Sequence, residues 1–353
     1  MRHLFLLLAC LPALDRAAAG SPPVVLAEPS HDRWMYPSNG TPGTRPQAST
    51  FSALPGATGM DDRWGFFLFA FDTGAAIPPG LPPDIYQIRA VKVSAVIGQD
   101  HLFAYDPTYD SWQTYGTPTV PPSPTDPDAG RPLELHGAGF RGAWTAGTFL
   151  ETSPYGSSLP GSRNAFPAGF DGLGNPRDVS NNITGQFESL PWAVGKTSSL
   201  AAGESVPVDT VFSFDVNVGL PGVSTYLQQG LAAGRIWFSL SSLHPATQQA
   251  GEFVAWYTRD DPYHQLFGGV APQLVLEADL NIPVRISHSG NTVSLSWPEF
   301  AGFTHVLQAS PDLTDSSWVP VHSHAASAAG TGAYSETMTG HSRFFRLAIT
   351  PTP

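Results

Sequence analysis

The sequence contains a single cysteine, Cys10, which lies inside the apolar run Leu4 to Leu14 near the start of the chain. A basic start, Met1-Arg2-His3, precedes this run, and the small residues Ala17-Ala18-Ala19 follow it. That arrangement is typical of a secretory signal peptide, here residues 1–19. Once the signal is removed the chain has no thiol, which excludes disulfides, thiolate metal sites and cysteine nucleophiles. We therefore expect a protein that is secreted or associated with the cell surface.

Positive charge is also scarce. Lysine and arginine together number 17 against 29 aspartates and glutamates, the net charge is −12, and lysine occurs only at Lys92 and Lys196. An acidic surface that is poor in lysine argues against nucleic acid as a partner. No apolar segment approaches the ~20 residues that a membrane-spanning helix needs. A neutral polysaccharide or an envelope or matrix component is the partner that this composition allows.

Recognisable catalytic motifs are missing as well. The sequence has no Gly-x-Ser-x-Gly elbow, no His-Glu-x-x-His helix, no phosphate-binding glycine loop and no dinucleotide-binding fingerprint. We therefore expect a non-catalytic protein with no organic cofactor. Glycosidases and lyases need only carboxylates, tyrosine or histidine on loops, so a carbohydrate-active hydrolase or lyase stays open as an alternative.

What the chain has in abundance is glycine and proline, 35 of each. Helix interiors reject both residues, so the composition predicts short strands joined by long loops. The run Gly65 to Phe71 is apolar on both faces and predicts a central strand covered on both sides. Residues 85–98 and 211–220 alternate as half-buried strands do. One helix is predicted, Val223 to Ala233, ending at Gly234.

Residues 99–184 show no sustained helical or strand period. A structureless loop of this length is abnormal in a compact domain. We expect a loop layer with a few short strands or turns, packed over one end or face of a sheet.

The sequence pattern changes near residue 281, where short predicted strands begin to follow one another closely. Six or seven such strands in about 70 residues predict a small β-sandwich, with Trp297 and Trp318 in its core. The predicted organisation is a signal peptide at 1–19, a large β domain at 20–281 with an insertion at 99–184, and a small β domain at 282–353.

Two resemblances support this division. Leu295-Ser296-Trp297, Leu307-Gln308-Ala309-Ser310, Trp318 and Phe344-Phe345-Arg346-Leu347 make the tail resemble the small fibronectin-type-III-like, or immunoglobulin-like, domain that closes many exported bacterial proteins. Such domains are accessory modules, so this resemblance implies no activity.

The larger part is similar to exported jelly-roll modules of the disaggregatase-repeat and carbohydrate-binding kind. The likeness lies in Phe69-Ala70-Phe71-Asp72, in Ile77-Pro78-Pro79-Gly80 and in Pro272-Gln273-Leu274-Val275-Leu276. It implies an all-β fold, with a jelly-roll-like sandwich followed by an immunoglobulin-like one. It also implies carbohydrate binding, which the residues themselves do not establish.

The best candidate ligand site is one short stretch that follows a predicted strand. Flat aromatic rings beside groups that hydrogen-bond hydroxyls suit sugars. The candidate residues are Trp256, Tyr257, Arg259, Asp260, Tyr263 and His264. The alternative interpretation is structural, with one of the two strand aromatics in the core and Arg259 and Asp260 forming an ion pair that anchors the loop.

Two acidic segments are candidates for a metal ion. Asp126 and Asp128 form one, Asp171 and Asp178 the other, and both lie beside glycine-containing turns. Calcium takes six to eight oxygen ligands, so it is the ion that these residues would suit. Neither segment has the spacing of a full calcium loop, and Asx-type turns explain both equally well.

The leading prediction is an exported, non-catalytic protein that binds a glycan or matrix component. A structural or assembly role in the envelope or matrix, with no small ligand, is the first alternative, and a carbohydrate-active enzyme is the second. Binding predicts exposed aromatic rings near 256–264, whereas a structural role predicts buried ones. An enzyme predicts two carboxylates across a cleft, ~5–10 Å apart.

Overall fold

The computed structural model describes residues 21–53, 59–115, 121–247, 250–251, 253–337 and 343–352, so the predicted signal peptide lies outside the described residues. Strands make up 43% of the structure and helices 8%, and the sheets are antiparallel. The all-β sandwich fold predicted from the sequence is confirmed. Among these residues no helix is both long and apolar enough to cross a bilayer.

Short strands account for most of the regular structure. The first part of the chain holds β1 (Val24–Leu26), β2 (His31–Met35), β3 (Gln47–Ser52), β4 (Arg63–Asp72), β5 (Tyr86–Val96), β6 (Leu133–Phe140), β7 (Ala165–Phe170), β8 (Pro176–Asp178), β9 (Ala193–Val194), β10 (Val211–Asp215), β11 (Arg235–Ser242), β12 (Ala246–Thr247), β13 (Ala250–Gly251), β14 (Val254–Tyr257) and β15 (Gln273–Leu280). The tail holds β16 (Arg285–Ser289), β17 (Thr292–Glu299), β18 (Phe303–Ser310), β19 (Val319–Ala326), β20 (Gly330–Thr337) and β21 (Phe344–Pro351). The helices are α1 (Trp112–Tyr115), α2 (Val223–Ala233) and α3 (Pro262–Phe267), and 3-10 turns span Pro83–Ile85 and Asp315–Ser317.

Two sheets form the body of the molecule. One has the strand order β1-β15-β5-β10, and the other runs β14-β3-β4-β11-β6-β7-β8, with β2 also paired to β4 and β9 to β6. The inward side chains of both sheets belong to one hydrophobic cluster, so the sheets face each other as a sandwich.

Strand β4 is buried on both of its faces, as its unbroken apolar run predicts. Phe67, Phe69 and Phe71 point into the core between the two sheets. Phe66 and Leu68 point the other way, into a second hydrophobic cluster. A strand covered on both sides loses its period-two pattern because neither face meets water.

Loop residues cover that second face. Phe149 is fully buried beside Trp237 of β11, with ring centroids 5.8 Å apart, and the Trp237 indole N–H donates to the carbonyl of Ala146 at 2.8 Å. Trp144 and Tyr155 pack against the same cluster. The predicted loop layer over a sheet face is therefore present at 141–164.

The rest of the 99–184 stretch differs from expectation. Strand β6 lies inside it and pairs with β11 on one side and β7 on the other. Gly137 and Gly139 interrupt the β6 pattern, since aromatic rings occupy the space where their side chains would be. No residue of β6 is exposed, and its second half, Gly137 to Phe140, has no polar side chain to mark an alternation.

Helix α2 has the predicted bounds and ends at Gly234, whose φ of 78° provides the left-handed cap. The tail forms two three-stranded sheets, β16-β17-β20 and β19-β18-β21, a strand order typical of immunoglobulin-like sandwiches. Trp297 is buried between them as predicted. Trp318 is not a core residue: it lies half-buried just before β19, with the Arg346 guanidinium 4.4 Å from its ring centroid.

Candidate functional site

The structure divides the predicted ligand segment at 256–264 into a buried part and an exposed part. Trp256 is fully buried, with its ring 6.1 Å from those of Phe212 and Phe214. Its indole N–H donates to the Thr50 hydroxyl at 3.3 Å. Trp256 is therefore a core residue and presents no face to a ligand. Tyr257 is half-buried, and its hydroxyl donates to Asp209 at 3.0 Å.

Arg259 forms ion pairs, as the structural interpretation predicted, but with other partners than Asp260. Its Nη2 lies 2.7 Å from both carboxylate oxygens of Glu151, and its Nε lies 3.7 Å from Asp32. Burial raises the pKa of Asp32 to about 7. The nearby Asp260 carboxyl is half-buried, and burial raises its pKa too. Arg259, Glu151 and Asp32 contact one another and anchor the loop layer to the sandwich.

Helix α3 holds the exposed part of the segment. The Asp261 side chain caps the helix by accepting the Tyr263 N–H at 2.8 Å. His264 is buried below it, where Nδ1 accepts two backbone N–H groups and Nε2 donates to Glu28 at 3.1 Å. Tyr263 and Phe267 stay 55% and 74% exposed, with ring centroids 5.0 Å apart.

A groove on the opposite edge of the large sheet offers a more complete binding site. It has a volume of about 660 Å³, within the range of small-ligand sites. Its floor is the β6–β7 surface, its first wall is α2 and its second wall is the loop that leads into β8. The residues that line it are Ala138, Gly139, Phe140, Phe166, Ala168, Phe170, Leu173, Gly174, Pro176, Arg177, Asp178, Gly222, Thr225, Tyr226 and Gln229.

Glycines let the aromatic rings form the floor. A Cβ at Gly139 would lie 2.3 Å from the Phe166 ring, and one at Gly222 would lie 2.4 Å from the Phe170 ring. Each ring therefore rests directly on backbone. The Arg141 guanidinium lies over the Phe166 ring, 4.1 Å from its centroid, and holds that ring in place.

Tyr226 joins the helical wall to the floor. Its hydroxyl accepts the Ala138 N–H at 3.0 Å and lies 2.9 Å from the Trp237 carbonyl, to which it donates. Burial raises the pKa of this phenol well above its ordinary value. Thr225 and Gln229, one residue before and three after it, are exposed and face the groove. Their polar groups are free to meet a ligand's hydroxyls.

The candidate metal ligands at the groove edge are already engaged. Asp171 accepts the N–H groups of Leu173 and Asn175 at 2.9 Å, and the Asn175 side-chain amide lies at the same distance. These hydrogen bonds, chiefly the Asn175 side chain, lower the pKa of Asp171. It forms the Asx-type turn that was the alternative interpretation. Asp178 is paired with Arg141 and accepts the Ser180 N–H at 2.8 Å, so neither carboxylate is free for an ion.

The other predicted pair belongs to a larger acidic cluster. Carboxylate oxygens of Asp106, Asp110 and Asp128 lie within 4.8 Å of one another. Asp126 is next to them and is paired with Arg131, which also bonds Asp110 at 3.1 Å. The 126–130 turn was recognised from the sequence, but Asp106 and Asp110 were missed. Their spacing of four residues in Asp-Pro-Thr-Tyr-Asp was the available signal.

The groove was missed entirely. Its available signal was the pair of phenylalanines in Ala-Phe-Pro-Ala-Gly-Phe at 165–170, large rings alternating with small residues on a strand. That pattern exposes rings on one side and permits close packing on the other, but the prolines and glycines around it favoured a loop.

No family model matches the chain, and no curated protein matches it. Among solved structures the chain is similar to one described as "Crystal structure of putative beta-galactosidase from bacteroides fragilis", with a TM-score of 0.20 and 8% identity. The alignment covers 94% of this chain and 36% of that one, so this chain spans little more than a third of its length. A likeness at this TM-score carries no argument about fold or function.

Proposed function

We propose that this protein is an exported, non-catalytic β-sandwich protein that binds a polysaccharide, of a glycan coat or a matrix, in the groove between β7 and α2. The observation that carries the proposal is the combination of an aromatic floor, Phe166 and Phe170, with the exposed polar side chains of Thr225 and Gln229 on the wall above it.

Pyranose rings have apolar C–H faces and hydroxyl-lined edges. A flat aromatic ring that is supported from behind offers the C–H face a rigid surface at little entropic cost. Hydroxyl and amide side chains can both donate to and accept from sugar hydroxyls, which a purely apolar groove cannot do. The groove supplies both kinds of contact.

The single carboxylate among the residues that line the groove favours binding over hydrolysis. Among its lining residues Asp178 is the acidic one, and it is held by Arg141. Most glycoside hydrolases use a second carboxylate across the cleft. The burial of Trp256 favours a structural role for that strand but leaves the groove available to a ligand.

The test is a glycan-array screen of the purified protein, followed by calorimetry on the polysaccharide that it retains. Phe166→Ala removes the floor ring, and Gln229→Ala removes a wall amide that contributes nothing to the core. We expect each change to weaken binding at least tenfold, equivalent to about 1.4 kcal/mol.

Two matched variants serve as controls. Gln87→Ala removes an exposed amide on β5, outside the groove, and Phe267→Ala removes the exposed ring of α3. Both should bind as the wild type does. Binding lost in Phe267→Ala but kept in Gln229→Ala would move the site to α3. An array with no retained glycan would contradict the proposal and favour the structural or assembly role.

A further inference from the structure

We propose that Asp106, Asp110 and Asp128 bind a divalent cation, and that the ion is calcium. This site lies apart from the groove and does not depend on its function. Like charges held within 4.8 Å repel one another unless a proton or a cation lies among them.

The contacts of the Thr108 hydroxyl indicate that these carboxylates lack a partner. The Thr108 Oγ1 lies 2.9 Å from Asp106 Oδ1 and 3.0 Å from Asp128 Oδ2. A threonine hydroxyl has one proton, so it can donate fully to only one of the two carboxylates. The other contact needs a proton or a cation that Thr108 cannot supply.

Two further oxygens of the same carboxylates have no hydrogen-bond partner in the part of the chain that the structure describes. Asp106 is 2% exposed, and its Oδ2 is buried without a hydrogen bond among the described residues. Asp128 is itself partly exposed, but its Oδ1 atom is shielded from solvent and likewise has no hydrogen bond among the described residues. Leaving a buried charged oxygen unpaired costs several kcal/mol, so these oxygens require a proton or an ion as a partner.

The nearby Arg131 does not neutralise the aspartate cluster. Arg131 directs Nη1 to Asp110 and Asp126, and its guanidinium lies 4.2 Å from the centroid of the Tyr115 ring. Four aspartates against one arginine leave a formal charge of −3 at the cluster. A divalent ion would reduce that to −1.

The local backbone brings the aspartates together. Asp106 and Asp110 flank a short turn before α1, and Asp128 arrives from the 126–130 turn. That turn can lie against Asp106 because its last residue is Gly130, with φ of 106°, where a Cβ would lie 2.8 Å from the Ala104 carbonyl oxygen. All of the donors are oxygens and all are on loops, a set that suits calcium's variable geometry better than magnesium's strict octahedron.

The test is calorimetric titration of chelator-treated, full-length protein with CaCl₂, together with thermal unfolding with and without calcium. We expect saturable one-site binding and an unfolding midpoint raised by about 2–4 °C at saturation. Asp106→Asn should abolish both responses. Without calcium this variant should be at least as stable as the wild type, because one repelling charge has gone.

Asp128→Asn is the second variant, for the case that a change at the more buried Asp106 prevents folding. It too should lose the calcium response, while Asp84→Asn, an exposed carboxylate in another turn, should keep it. Absence of saturable binding would overturn the proposal and leave a trapped proton as the partner of these oxygens. Stabilisation by calcium that persists in both variants would contradict the proposed position of the site. Tighter binding of Mg²⁺ than of Ca²⁺ would contradict the assignment of calcium as the ion.

Discussion

Arg259 and Glu151, 108 positions apart in the sequence, meet with the arginine Nη2 2.7 Å from both glutamate oxygens. The pair joins the segment after β14 to the loop layer that covers β4. Its side chains are 28% and 19% exposed, which shields them from full screening by solvent.

Glu151→Gln should therefore destabilise the protein by about 1–2 kcal/mol, because it leaves a partly buried guanidinium without its main counter-charge. Urea denaturation measures the change. The control is Lys92→Ala at the Lys92–Asp215 pair, which is 3.8 Å long and exposed. That change should cost less than about 0.5 kcal/mol. Equal losses in the two variants would mean that the Arg259 pair stabilises no more than a surface contact.

Trp256→Ala should cost about 3–5 kcal/mol of unfolding free energy, because it opens a large cavity between the sheets. Tyr263→Ala, on the exposed face of α3, should cost less than about 0.5 kcal/mol. Thermal and chemical unfolding of both variants would compare them directly. A Trp256→Ala protein with wild-type stability would place that ring outside the core.

Gly139→Ala should destabilise the protein by about 1–3 kcal/mol and disturb the groove, because the new methyl group overlaps the Phe166 ring. The matched control is Gly172→Ala, where a Cβ would meet nothing within 4 Å. Stability and near-ultraviolet circular dichroism would be recorded for both. Wild-type behaviour of Gly139→Ala would show that the ring is not confined against the strand.

Asp32 gives the stability an unusual pH dependence. Its folded-state pKa of about 7 lies above the unfolded value of 3.8, so the folded state binds more protons between these limits. The free energy of unfolding that Asp32 contributes is thus fully present below pH 4 and is lost as the pH rises to 7. Burial is the main cause, while Glu151 and Asp260 raise the pKa further and Arg259 opposes them.

Asp32→Asn removes this titration and keeps an oxygen to accept the Arg259 N–H. The unfolding free energy of the wild type should therefore fall relative to that of the variant between pH 4 and 7, by about 2–4 kcal/mol at 1.36 kcal/mol for each unit of pKa. Denaturation curves at successive pH values measure the difference. A difference that stays constant with pH would contradict the raised pKa.

Regular elements could be predicted where one physical pattern dominates. The bounds of α2 followed from its apolar spacing and from Gly234, and β4 followed from seven apolar residues in succession. Strand β6 could not be recognised, because its glycines make room for rings that arrive from residues 166 and 192. Those rings are distant in sequence, and the reason for each glycine is visible only in three dimensions.

Less of the candidate sites than of the regular elements could be predicted from the sequence. Composition placed aromatic and charged residues together at 256–264, but Trp256 and Arg259 serve the core and the loop anchor. Asp126 and Asp128 were recognised because they share a turn. Asp106 and Asp110 join them only through the packing of two loops. Phe166 joins Gln229 only because Tyr226 of α2 contacts β6 and β7.

The two-sided burial of β4 also has a consequence for how the chain folds. Asp72 at the end of β4 pairs with Arg235, 163 residues later, and the layer over its outer face comes from the residues between them. Closing such long loops costs entropy before any contact repays it, so folding should be slow. Until β11 arrives, the phenylalanines of β4 remain open to other chains. We expect their protection during synthesis to influence the yield of native protein.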